Sequence, residues 1–163
     1  MRNLFLHAAL PSILLTASAT AHAAPPTELC NVLHAFVGEA QPGQIHSFTF
    51  HTSWGTNFKQ VEEQALSAKR CDHGGDPAEQ AICAYLMKHG QTEFADMTVM
   101  DSISCLSSAT TFDKSLRLHS VNLSFRSEGI NRGATITVTF GEDTEHGVIR
   151  PGFPRHLKAM ENG

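Results

Sequence analysis

The segment Cys71-Asp72-His73-Gly74-Gly75-Asp76 gathers side chains with chemical capacity. Two carboxylates flanking an imidazole could act as an acid–base pair or ligate a metal, because histidine titrates near neutrality and both groups bind cations. The spacing matches no zinc pattern such as H-E-x-x-H. A structural reading outweighs the chemical one. Gly74-Gly75 supplies a turn, and Asp76 stands where a helix N-cap belongs.

Beyond residue 23 the histidines are His34, His46, His51, His73, His89, His119, His146 and His156. They are scattered, and no metal ligand is assigned among them. His46 and His51 are five apart in a strand-like segment, which puts them on opposite faces. His89 suits the C-terminal end of a helix, where carbonyls lack partners. Nucleophile signatures are missing: there is no G-x-S-x-G elbow, and Ser104-Cys105-Leu106-Ser107-Ser108 lacks the context of a catalytic thiol. Gly74-Gly75 lacks the lysine of a phosphate-cradling loop, so no catalytic residue and no cofactor is assigned.

Two further segments suit binding. In Trp54-Gly55-Thr56-Asn57-Phe58 the lone tryptophan lies beside a glycine at a strand end. Tryptophan there either caps the core or projects as an interface anchor. Glu142-Asp143-Thr144-Glu145-His146 is acidic, suiting a basic partner or Ca²⁺, although such runs are most simply solvated. Trp54, Asn57, His73, Glu142, Asp143 and His146 form the candidate binding surface.

What holds such groups in place is set by the cysteines and by the first residues. Residues 1–23 read as a secretory leader: Arg2, an apolar stretch through Leu15, and Ala21-His22-Ala23 as a small-x-small cleavage site. Its alanine-rich composition favours bacterial export, giving a periplasmic or secreted product cut after Ala23. Pro11 interrupts the apolar run, well short of the ~20 residues a spanning helix needs, and no later stretch comes closer. Residues 24–163 then form a single domain. The four cysteines, Cys30, Cys71, Cys83 and Cys105, imply two disulfides in an oxidising compartment. No C-x-x-C pair is present, so both bridges are expected to be structural. The formal charge is −4, or −5 once Arg2 is removed, and no basic footprint for nucleic acid exists.

Hydrophobic spacing supplies the elements. Leu29, Val32, Leu33 and Phe36 mark a helix over 28–37, with Thr27 as N-cap and Gly38 as its end. His46–Thr52 alternates as a strand with Phe48 and Phe50 facing the core. Phe58, Val61, Ala65 and Leu66 suggest a helix over 58–69. Asp76, Pro77 and Glu79 open the best-marked helix, stopped by Gly90. A fourth helix runs over 93–106. Val121–Arg126 and Ala134–Phe140 alternate as two strands, with a bulge expected near His119-Ser120 and a loop carrying Gly129, Asn131 and Gly133. The chain from about 151 is expected to be loosely ordered.

This order predicts an α+β domain: a small antiparallel sheet packed against about four helices and braced by disulfides. If 77–89 and 93–106 pair as an antiparallel hairpin, Cys83 lies ~10 Å along the axis from Cys105, at ~1.5 Å per residue. A bridge needs Cα atoms within ~7 Å, which disfavours Cys83–Cys105. Cys71–Cys83 with Cys30–Cys105, and Cys71–Cys105 with Cys30–Cys83, stay open. The functional expectation is a small exported binding protein, an inhibitor or immunity-type partner of another envelope protein. The alternatives are a small hydrolase using His73 or His51 with a carboxylate, and metal capture by histidines.

Overall fold

A computed structural model describes residues 26–55, 66–113, 115–127, 129–131, 133–142 and 155–159, the last as backbone only. The leader, Asn57, Asp143, His146 and most of the helix expected over 58–69 lie outside the described residues. Among the described residues the order is α1 (Thr27–Glu39), β1 (Phe48–Trp54), β2 (Ser67–His73), α2 (Pro77–His89), α3 (Ala95–Leu106), β3 (Val121–Arg126), β4 (Thr135–Glu142) and β5 (Arg155–Ala159). The class is α+β, with three helices here rather than about four.

The helices follow their apolar spacing. α2 starts as expected: Asp76 Oδ1 accepts the Ala78 N–H at 2.9 Å, and Pro77 occupies the first turn where its missing N–H costs nothing. Gly90 ends it through close packing rather than backbone freedom. A Cβ there would lie 2.6 Å from both the Leu86 carbonyl oxygen and the Phe50 ring. α1 runs through Gly38 to Glu39, and its N-cap is Pro26, with no side-chain cap. Its C-terminal end is closed from elsewhere. Asn131 Nδ2 donates to the carbonyls of Val37 and Ala40 at 3.0 and 2.8 Å, tying the β3–β4 loop to the helix.

All strand pairs are antiparallel, in the order β2-β1-β5-β4-β3. Two strands escaped the sequence reading. Ser67–His73 carries Lys69, Arg70 and Asp72 and no apolar alternation, so the expectation of a helix reaching 69 fails: Ser67, Ala68 and Lys69 pair with Trp54, Ser53 and Thr52. Arg155–Ala159 falls in the segment expected to be loosely ordered, yet it pairs with β1 on one side and β4 on the other. The phase break before β3 is a bend at His119 ahead of the strand, not a bulge within it.

Phe48 and Phe50 of β1 and Ile136, Val138 and Phe140 of β4 meet Leu33, Phe36 and Val37 of α1, Ile82 and Leu86 of α2, and Val99 and Ile103 of α3 in one buried cluster. α1 packs on both other helices, α2 lies along β2 and β1, and α3 reaches the sheet at β4. Cys30–Cys105 joins α1 to the end of α3, and Cys71–Cys83 joins β2 to α2, with Cα separations of 4.9 and 5.6 Å. This is one of the two pairings left open, and Cys83–Cys105 is not formed. No described helix is long and apolar enough to cross a membrane.

Candidate functional site

The loop from Cys71 to Asp76 serves architecture. Glu79, buried in the first turn of α2, turns its carboxylate away from its own helix. Oε1 accepts the Ser47 N–H at 3.0 Å and Oε2 the Gly74 N–H at 2.6 Å. One side chain thereby clamps the chain entering β1 to the chain leaving β2. His46 lies beside it, with Nδ1 3.7 Å from Asp76 Oδ1 and 3.8 Å from Glu79 Oε1. His73 is exposed, and its Nδ1 accepts the Gly75 N–H at 3.1 Å as part of the turn. The glycines follow from this geometry: Gly75 sits at φ +98°, and a Cβ on Gly74 would come within 3.0 Å of Glu79 Oε2.

The polar face of the β1–β2 hairpin holds a different cluster. His51 Nε2 lies 3.0 Å from Asp72 Oδ2, and Arg70 Nη2 lies 3.1 Å from the same oxygen. A carboxylate accepts, so His51 donates from Nε2 and presents Nδ1 on the other side of the ring. The pair therefore has the connectivity of an oriented imidazole. His51 is only 3% exposed, however, and Thr52 and Ser53 beside it are also buried. The alternation that turns His51 from the core thus does not turn it to solvent. Register sets it opposite Arg70 on β2 and opposite His156 on β5.

Trp54 closes β1 and is 42% exposed, so it does not cap the core. Gly55 follows at φ +72°, and its N–H donates to the Leu66 carbonyl at 2.7 Å, drawing together the two strand ends. Leu66 is 71% exposed. The register row Lys69–Thr52–Arg155–Glu142 crosses four strands at nearly the same level, so exposed Glu142 shares this end of the sheet with Trp54. His73 pairs with Phe48 at the far end of the hairpin, about 20 Å away at ~3.3 Å per residue. The structure thus brings Trp54 and Glu142 to one end and separates His73 from them.

Burial lowers the Lys69 ammonium below its usual pKa, and its Nζ donates to the Met87 carbonyl at 3.2 Å. The Tyr85 phenol is pushed above its ordinary value by burial first, then by Glu28 and Asp101. His89 stacks on Tyr85 with ring centroids 4.8 Å apart. Among the described residues no group of three or more His, Cys, Asp or Glu is placed to hold a metal.

Sequence reasoning missed the His51–Asp72–Arg70 cluster because β2 was not recognised. It also missed Asp96, buried in α3, whose Oδ2 accepts the Leu118 N–H at 3.2 Å. A carboxylate inside an otherwise apolar helix stripe was the available signal. Comparison with protein-family models, curated proteins and solved structures finds no match to this chain.

Proposed function

We infer that the chain is a small exported binding protein, cleaved after Ala23 and acting in the periplasm or outside the cell as an inhibitor or immunity-type partner of another envelope protein. The observation that carries this reading is Trp54: a large aromatic side chain, held at a strand end by Gly55 and left 42% exposed beside exposed Leu66. Exposed tryptophan at a strand end is the kind of anchor that dominates interfaces, and Glu142 at the same end adds an acidic margin suited to a basic surface. The Cys71–Cys83 bridge ties β2, the strand paired with β1, to α2, and Cys30–Cys105 ties α1 to α3. The body that carries Trp54 is thus braced, which lowers the ordering cost of binding.

The test is retention of a partner from envelope or secreted extract by the oxidised protein, followed by loss of that retention in Trp54→Ala. Because Trp54 is the single tryptophan, its emission should shift to shorter wavelength when the partner covers it. Repeated failure to retain a partner, or retention indifferent to Trp54→Ala, overturns the reading.

A second reading, a small hydrolase of cell-wall or peptide material, is favoured by the 3.0 Å His51–Asp72 contact. It requires His51→Ala to abolish a measured hydrolysis while both disulfides and the fold persist. Burial of His51 weighs against it.

A further inference from the structure

β3 ends the sheet, and its apolar side is incompletely covered. Val121, Leu123 and Phe125 pair with Phe140, Val138 and Ile136, so they share the core-facing side of β4. The β4 residues are fully buried, whereas Val121 and Phe125 are only half-buried and Leu123 is 37% exposed. α3 reaches the sheet at β4, leaving the outermost strand short of cover. An edge strand with alternating apolar side chains offers both main-chain groups and apolar surface to another strand.

The sequence of that edge fits itself. Ser120-Val121-Asn122-Leu123-Ser124-Phe125-Arg126 has the same polar–apolar pattern read in either direction about Leu123. In an antiparallel pair of two such strands, Leu123 meets its own copy on the two-fold axis, Val121 meets Phe125, and Asn122 meets Ser124. Arg126 meets Ser120, so the two arginines lie about 20 Å apart at ~3.3 Å per residue and do not repel. We propose that β3 pairs with β3 of a second copy of this chain, joining two five-stranded sheets into one across a two-fold axis through Leu123. The contact covers Leu123 and continues each half-buried stripe into its twin. Six residues per strand make a small interface, so dissociation falls in the range of about 1–100 µM.

The full chain as exported from cells, with both disulfides intact, is examined by sedimentation velocity up to about 200 µM, above that range. A concentration-dependent shift from monomer to dimer is expected. Leu123→Lys should weaken the dimer at least tenfold, because it sets two ammonium groups face to face on the axis. Far-UV circular dichroism and the unfolding midpoint establish that this variant is folded. Leu123→Cys, placed against itself, should cross-link into a covalent dimer under mild oxidation, and Asn122→Cys, placed against Ser124, should not. A chain that stays monomeric at the highest concentration overturns the proposal, as does a dimer indifferent to Leu123→Lys or equal cross-linking at 122 and 123. A monomer whose β3 is instead covered by another protein's strand overturns it equally.

Discussion

The two edges of the sheet are finished by opposite means. β2 carries Lys69, Arg70 and Asp72, is bridged to α2 through Cys71–Cys83, and receives the Glu79 clamp where it ends. Charge and covalent attachment are standard ways to keep an edge from recruiting another strand. β3 has one charged residue, Arg126, at its end, and no disulfide. It is held to β4 by strand pairing and by contacts such as Ser124 Oγ with Thr137 Oγ1 at 2.8 Å. One edge is closed chemically and the other is left with adhesive chemistry. Within a single sheet, edge protection is therefore a local property of sequence, not a consequence of the fold.

That contrast can be broken from its middle. Among the described strands β5 alone stands between β1 and β4. A chain ending at Pro154 should leave the two halves of the sheet held by the helices and the shared core, and should unfold with much lower cooperativity, the largest effect expected. A calorimetric trace retaining one sharp transition would show that the halves hold together without it. Next comes the staple. Replacing Cys71 and Cys83 by serine removes a loop with a sequence separation of 12. The chain-entropy estimate for that loop is about 3 kcal/mol. Amide exchange should quicken in β2 and α2 while β3 is unchanged, and equal quickening in both edges would erase the distinction drawn here.

Side-chain substitutions sharpen the same contrast. Glu79→Ala removes the acceptor of the half-buried Ser47 N–H and the exposed Gly74 N–H and should cost about 2 kcal/mol in urea unfolding, since a donor left unmade costs about 1–3 when buried and less where water reaches it. Leu123→Ala on the open edge should cost the monomer about 1 kcal/mol, because over a third of that residue already meets water. Comparable losses at the two positions would mean the edges are equally supported.

The smallest effect is a titration on α2, the helix that backs the closed edge. Tyr85 is the only tyrosine, so absorbance near 295 nm follows it alone. Its folded pKa lies above the unfolded value of about 10. Tyr85 therefore contributes stability fully present below pH 10 and lost as pH rises through the folded pKa. Glu28→Gln should bring the folded midpoint down part of the way. A wild-type midpoint at the ordinary value would contradict this.

Much of the fold was legible where local chemistry agrees with burial. Asp76, Pro77 and Gly90 announce α2 at both ends, and the alternation of β3 and β4 needs no tertiary information. β2 and β5 were illegible because each carries too little apolar pattern of its own. β2 does not alternate apolar with polar residues, and β5 does so only over residues 156–159, too short a run to mark a strand without the two neighbours it pairs with. Lys69 was read into a helix and Asp72 into a chemically capable loop, because their partners, the Met87 carbonyl and Arg70 with His51, are met only in three dimensions. The candidate surface divides likewise. The place of Trp54 at a strand end beside a glycine was legible from its type and neighbours, whereas the use of the His73 ring nitrogen by a turn was not. His51 became part of a cluster only once its neighbouring strand existed.

The placement of β5 carries a consequence for how this molecule comes into being. The strand that seals the sheet is the last described element in chain order, so the two strand pairs made earlier can share the helices and the core but are not joined into one sheet until residue 159 is available. Such long-range closure is slow, because distant segments must meet before any contact rewards them. The finished sheet is therefore a late product, closed only after every other described strand has been made.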